Sequence, residues 1–367
     1  MEFGLGLLGY HGSWEDAAFA ERHGFSSAGF VDSPLLGGET FACLALAAAT
    51  TTTMRLGAFV AVPGNRSAPT TAQGIATVNR LAPGRAFLAL GTGYTARRTF
   101  GLPPLAPSAL ASYVRECRAL LDGQEALHRT DGYERVIRFR QREGDYLDLE
   151  HRVPVYVAAD GPKALRVAGE TADGWVTTLQ YANVMANAAE VLAGSLAAVR
   201  AAAEGAGRIL DSLDVIWSNT LCVLEPGERP TDPRVLERVG AYAMMPFHSY
   251  ADDSGIAELL PPAVQERLEV YRHEVLDRFD VPADRLYQEA HRGHLSHLQE
   301  GEAAVLTDEI VRMTTLTGTA EEIAGRLRAL EVAGLTNLSL WVPPHRTREA
   351  VLEVERRIMP LLERAPA

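Results

Sequence analysis

The chain has 367 residues, 47% hydrophobic and 22% charged, enough to bury a large core in one large domain or two ordinary ones. That balance excludes a disordered, collagen-like or disulfide-scaffold chain. Basic residues number 35 against 47 acids, a net charge of −12, and no basic stripe offsets that field, which speaks against a nucleic-acid partner.

Lys163 is the only lysine; every other permanent cation is arginine. A GC-rich coding sequence accounts for the bias, but not for the place of the one lysine. Met1–Gly9 runs straight into strand-like sequence without a charged, apolar leader, and no stretch is long enough to span a membrane, so a cytoplasmic protein is expected. Cys43, Cys117 and Cys222 lie far apart in apolar segments with no zinc-type spacing, which reads as reduced and structural.

Strand and helix alternate along the chain. Phe3–Leu8 reads as a strand, followed by a helix over Trp14–His23 with Ser13 as its cap. Ser27–Val31 is the second strand and Phe41–Thr50 the second helix; Arg55–Val62 and Thr70–Leu81 are the third pair. Arg85–Leu90 is the fourth strand, with a helix at Ala109–Leu121 after a Pro-rich approach. Arg135–Arg140 and Tyr146–Leu149 read as a small added hairpin.

Val155–Ala158 is the fifth strand, Lys163–Glu170 a helix, Gly174–Thr177 the sixth strand and Val184–Ala203 a long alanine-rich helix. Asp214–Val223 is the seventh strand; Thr319–Ala333 is a helix with a Thr319/Glu322 capping box. Asn337–Val342 is the eighth strand and Thr347–Leu362 the closing helix. Eight short apolar strands, each followed by a helix, predict a parallel (β/α)8 TIM barrel spanning 1–367 as a single domain. Residues 225–316 break the rhythm as a long insertion after the seventh strand, reading as helices at Asp232–Ala243 and Pro262–Phe279 and a His-rich stretch at Glu289–Leu298. Strand-to-helix connections open at the face where barrels build active sites, which makes the insertion a candidate lid.

Two turns carry chemistry. In VYVAADGPK, Gly161 lets backbone approach a ligand, Pro162 suits a first helical turn, and free N–H groups there form an anion site beside Lys163. The same spacing suits an ordinary solvated lysine. Gly91-Thr92-Gly93-Tyr94-Thr95-Ala96 fits G-x-G-x-x-A, but it follows the fourth strand, and Pro103, Pro104 and Pro107 interrupt the helix that a dinucleotide fold needs. Its glycines read as close backbone approach to a ligand at a barrel rim. Arg97 and Arg98 beside them suit either an anion or solvent. His291, His294 and His297 fall at i, i+3 and i+6; without matching carboxylates no metal is expected there, and they read as lid or surface residues. Hydrolase and NTPase motifs are absent.

The segments GRAFLALGTGYTARRTFG, VPVYVAADGPKALRVAGETADGW and LTGTAEEIAGRLRALEVAGLTNLSLWV together resemble the bacterial luciferase-like superfamily, flavin- or deazaflavin-dependent oxidoreductases on a (β/α)8 barrel, in particular the branch containing methylenetetrahydromethanopterin reductase. The resemblance covers nearly the whole chain outside 225–316. It implies a flavin or F420 across the C-terminal mouth, its phosphate near Asp160, Gly161, Pro162 and Lys163, with Thr177 and Thr178 contributing. It further implies that Phe59, Val60 and Ala61 form a bulge, often with a non-proline cis peptide, under the ring. Gly91, Thr92, Gly93 and Tyr94 would line the rim, and Asp32 would match an acid facing the ring.

The sequence departs from the family's sugar-phosphate dehydrogenases at three places: Ser33 stands where they carry a catalytic histidine, Tyr94 where they carry an acid, and Tyr181 where they carry a lysine. The expected activity is therefore a luciferase-like monooxygenase using reduced FMN and O2 on a small organic substrate, supplied by a separate flavin reductase and acting as a homodimer. The alternatives are an F420-dependent hydride-transfer enzyme and a non-catalytic flavin-binding protein. Candidate catalytic residues are His11, Asp32 and His294, with Tyr10, Phe59, Tyr94, Trp175 and Trp217 as an apolar mouth.

Overall fold

The structure is a computed structural model and describes the whole chain except residues 142–144, 180–181, 211 and 364–367. Its strands are β1 (Glu2–Leu7), β2 (Ser27–Phe30), β3 (Arg55–Ala61), β4 (Ala86–Leu90), β5 (Ala126–Thr130), β6 (Tyr133–Ile137), β7 (Val155–Ala158), β8 (Gly174–Thr177), β9 (Asp214–Asn219), β10 (Leu221–Val223), β11 (Leu316–Gly318) and β12 (Asn337–Trp341). Eight of them close a barrel in the order β1-β12-β9-β8-β7-β4-β3-β2. Neighbours from β1 round to β9 pair in parallel, with helices between. The predicted (β/α)8 architecture and its eight strands are therefore present, and the long insertion lies between the seventh and eighth barrel strands.

Several local expectations need correction. The segment read as a seventh strand over Asp214–Val223 is two strands. Asn219 Oδ1 accepts the Thr220 amide at 2.8 Å, and the chain turns there so that β10 leaves the barrel and pairs with β11. The added hairpin joins β5 and β6, antiparallel about Asp131 and Gly132, both at positive φ; Tyr146–Leu149 forms no strand. Ser13 is not a cap. The helix Ser13–Arg22 starts on Gly12, at φ 92°, and the Ser13 hydroxyl makes no capping bond. The helix expected over Pro262–Phe279 is broken into Pro262–Gln265, Leu268–Glu274 and the 3-10 turn Leu276–Arg278. Gly301 packs so tightly on the Glu274 carbonyl, at the end of the middle helix, that a Cβ there would lie 2.1 Å from it. The Thr319/Glu322 capping box forms in full.

The chain divides into two compact units. The first comprises 1–177, 194–217 and 336–339; the second comprises 178–193, 218–335 and 340–367. In the first unit Phe59 meets Phe87 edge-on at 6.5 Å, and Phe87 stacks on Tyr156 at 5.5 Å. Tyr156 donates to Asp214 at 2.5 Å, and Arg55 bridges Asp214 and Glu2 at the N-terminal ends of the strands. Burial and the Asp214 charge push the Tyr156 phenol far up, so it stays a donor. The second unit has its own core, with Val235, Val239, Phe247, Tyr271 and Ile310 fully buried. All three cysteines are free and buried. Among the described residues no helix is long and apolar enough to cross a membrane.

Asp173 ties β7 to the turn before β8. Its carboxylate accepts from Arg118 at 3.1 and 3.0 Å, Arg152 at 2.7 Å and the Val155 amide at 2.9 Å. Burial alone would raise its pKa, but the Arg118 and Val155 hydrogen bonds and the two cations outweigh burial and lower it. A depressed carboxylate stabilises the fold above its unfolded pKa, and that contribution fades as pH falls through the folded value. Asp173→Ala is expected to cost about 2–3 kcal/mol in urea unfolding at pH 7. The gap should hold down to about pH 5 and shrink below about pH 4; a gap independent of pH would show that the charge contributes nothing.

Candidate cofactor site

In a parallel barrel every strand ends on the same rim, and in the first unit that rim gathers most of the residues singled out above. The register of β3 on β4 shifts between Ala58 and Ala61, and the Phe59–Val60 peptide is cis, the local form that the family resemblance implied. Phe59 turns its ring into the barrel over Gly29, where a Cβ would lie only 2.3 Å from the Phe59 Cβ. Val60 stays half-exposed and leans on Gly91, whose absent Cβ would lie 2.8 Å from Val60 Cγ2 and 3.5 Å from Ala158 Cβ. Gly91 donates to the Ala61 carbonyl at 3.1 Å.

Beyond β4, Gly93 sits at φ 76° as the cap of the short helix Tyr94–Arg98. Thr92 is half-exposed, and its carbonyl accepts the Leu105 amide at 2.9 Å. Tyr94 is exposed with Arg98 over its ring at 4.6 Å, while Arg97 donates to the Pro103 carbonyl at 2.7 Å. Trp175 and Trp217 do not form an open mouth: both are fully buried, and the Trp175 N–H donates to the Ala159 carbonyl at 2.7 Å.

At the end of β7, Asp160 accepts the Thr177 hydroxyl at 2.6 Å, joining the ends of β7 and β8. Gly161 caps the helix Pro162–Thr171 in extended conformation, with no side chain on its amides. A Cβ at Gly161 would meet nothing within 4 Å. The Lys163 amide has no acceptor, and its exposed ammonium has no ion-pair partner, among the described residues. This is an uncapped helix N-terminus with an adjacent free cation. Thr178, half-exposed, belongs to the second unit; Tyr181 lies outside the described residues.

Asp32, 3% exposed, is more tightly held than its position in sequence suggested. Its Oδ1 pairs with Arg66 at 2.6 Å, its Oδ2 accepts the Val62 amide at 3.3 Å, and its carbonyl accepts from Asn65 at 3.2 Å. Arg66 also bonds Glu39 and lies over the Phe41 ring at 5.0 Å. Burial works against its charge, but the Asp32 and Glu39 bonds hold its pKa above the ordinary value. The pair clamps the loop that follows β3 onto the end of β2. Arg66 has no local signal in the sequence, because it lies 34 positions from Asp32.

His11 is exposed after β1, its ring edge-on to Trp14 at 5.6 Å. His294 lies in the second unit, 4% exposed, with Nδ1 3.0 Å from His248 Nδ1. Burial and the neighbouring rings of His248 and His291 push its pKa well below the usual imidazole range. His297 is exposed and bonded to Ser296.

A closed parallel barrel with helices between its strands and an uncapped helix start at Gly161 on its rim defines a class, that of (β/α)8 barrel proteins. The luciferase-like monooxygenase family model matches residues 10–337, and the chain belongs to that family of oxidoreductase enzymes. It is 25% identical over 331 residues to a 5,10-methylenetetrahydromethanopterin reductase of Archaeoglobus fulgidus, covering 89% of this chain and 88% of that protein. Over 218 residues it is 34% identical to an F420-dependent glucose-6-phosphate dehydrogenase of Nakamurella multipartita, 54% of this chain and 60% of that one. The fold matches the coenzyme F420 dependent tetrahydromethanopterin reductase of Methanopyrus kandleri at TM-score 0.66 and 20% identity, over 99% of both chains. It also matches the FMN complex of the oxygenating constituent of 3,6-diketocamphane monooxygenase from Pseudomonas putida at TM-score 0.63 and 13% identity, over 99% of this chain and 98% of that one. Relatives thus use FMN or F420.

Removing one member of a buried pair strands the other's charge. Arg66→Met is expected to cost about 3 kcal/mol, and adding Asp32→Asn should recover part of that loss. Urea unfolding of the single and double variants reads both; equal stability of Arg66→Met and wild type would show that the pair holds nothing.

Proposed function

We propose that the protein is an F420-dependent oxidoreductase that moves a hydride between the deazaflavin and a small organic substrate, without O2. The observation that carries this reading is relatedness along 89% of the chain to a reductase, joined by F420-dependent dehydrogenases among its nearer relatives. This moves the balance away from the monooxygenase expected from the Ser33, Tyr94 and Tyr181 departures. Those departures now argue against a sugar-phosphate substrate rather than against F420.

The residues fit such a cofactor. When bound, it supplies a two-electron carrier, and the remaining tasks fall to the chain. Phe59–Ala61 and Gly91–Gly93 form the floor, with the half-exposed Val60 side chain packed into the space that Gly91 leaves beside Ala158. Asp32 and Arg66 hold that floor in place. Gly161, Pro162 and Lys163 receive the phosphate: the Lys163 amide and ammonium supply donors and positive charge at the helix start, and the Thr177 hydroxyl donates to the neighbouring Asp160 carboxylate. A hydride travels without its proton, so the substrate's proton has to be handled by the protein; the exposed His11 ring stands on the same rim.

The second reading, a reduced-FMN monooxygenase, is favoured by Ser33 and Tyr94 in place of the dehydrogenase acid–base residues. Anaerobic titration with F420 and with FMN, each oxidised and reduced, separates the two. The account expects F420 to bind at least tenfold tighter than FMN. Lys163→Ala is expected to weaken F420 by about 1–2 kcal/mol, roughly tenfold, while His11→Asn leaves affinity unchanged. Preference for FMN would overturn the hydride reading, and unchanged affinity in Lys163→Ala would remove that residue from the site.

A further inference from the structure

The second unit holds a constellation that the cofactor chemistry does not use. His248, on the helix Met245–Asp252, and His291 and His294, in the turns after the helix Leu286–Ala290, are all buried. Their ring centroids lie 5.3, 5.3 and 4.9 Å apart, and one nitrogen from each falls within 4.8 Å of the others.

Two of the rings are oriented by carboxylates. His248 Nε2 bonds Glu302 Oε1 at 2.8 Å, and His291 Nε2 bonds Asp252 Oδ1 at 2.9 Å. A carboxylate only accepts, so both Nε2 atoms carry hydrogen, which in the neutral ring leaves Nδ1 as the lone-pair nitrogen. His291 is 7% exposed, yet its Nδ1 is buried without a hydrogen-bond partner. His248 Nδ1 points at His294 Nδ1, 3.0 Å away. A carboxylate on the far nitrogen and a lone pair on the near one is how metal-binding histidines are held.

Charge balance argues the same way. Glu302 is fully buried, and the Asp252 side chain is 1% exposed. Among the described residues no arginine or lysine pairs with Glu302. The described partners of Glu302 are the His248 ring and the Gln299 amide, and a divalent cation among the rings offsets its buried charge. Gln299 Oε1 and the Tyr271 hydroxyl are also buried without partners in this unit.

The geometry points to a divalent transition-metal site, of zinc type, held by Nδ1 of His248, His291 and His294, with Glu302 and Asp252 as positioning residues and water in a fourth position. Tetrahedral ligands about 2.0–2.1 Å from zinc lie about 3.3 Å from one another, so the closest nitrogen pair opens by only a few tenths of an ångström. The ion pins the helix at 245–252 to the segment 286–302, in an insertion built of short helices. Its role is structural, and it does not depend on the identity of the cofactor.

The test uses the untagged full chain, stripped with chelator and titrated with zinc or cobalt(II). One metal per chain is expected, with the visible bands of four-coordinate cobalt(II) and a melting temperature that rises with zinc concentration. His291→Gln and His294→Gln should each weaken binding at least a hundredfold, whereas His297→Gln, at the exposed neighbour, should bind as wild type does. Failure of the wild-type chain to retain metal at micromolar concentration overturns the proposal, whatever the folding of the variants. Undiminished binding in His291→Gln overturns it as well.

Discussion

A ring of eight parallel strands has to be filled from within, and the filling decides what its two ends can do. Here a column of three aromatic rings, Phe59, Phe87 and Tyr156, runs through the first unit. Two glycines make room for it: a Cβ on Gly29 would strike Phe59, and one on Gly57 would lie 2.3 Å from the Phe87 carbonyl oxygen. At the N-terminal end the column finishes in a polar seal of Tyr156, Asp214, Arg55 and Glu2. At the other end Phe59 is drawn inward and Val60 stays half-exposed where the β3 register shifts. Core packing and the floor of the candidate site are therefore one arrangement.

Arginine and lysine divide the electrostatic work. Arg85 donates to the Thr51 hydroxyl and to the carbonyls of Met54, Ala48 and Thr51; Arg118 clasps Asp173; Arg66 clasps Asp32. A planar fork suits such fixed, multiple bonds. Lys163 makes none of them and stands alone at a helix start, where a cation is unfavourable until an anion arrives. The chain's one lysine is thus set apart from the arginines that bind the fold together.

The barrel was legible because strands buried on both faces read as short apolar runs with turn residues between them, and β7 and β8 fall where those runs do. Where an interaction from far along the chain sets the local outcome, the pattern misleads. Apolar residues continue past Asn219, yet its side chain turns β10 out of the barrel. The run from Pro262 looks like one helix but folds as three short pieces, the second ending where Gly301 packs on Glu274. The site divides in the same way. Gly91, Gly93 and Gly161 stand out by their type and their place after strands, and the structure sets them at the ends of β4 and β7. Asp32 does not announce Arg66, nor do the three clustered histidines announce His248 and Glu302, because those partners meet only in the folded chain.

Hydrogen exchange read by mass spectrometry, with and without saturating oxidised F420, tests most directly whether the barrel rim of the first unit receives the cofactor. The account predicts slowed exchange in peptides covering 57–63, 90–94 and 159–165, three segments far apart in sequence that share one rim. Unchanged exchange in all three with F420 bound, or no F420 binding at all, would contradict it.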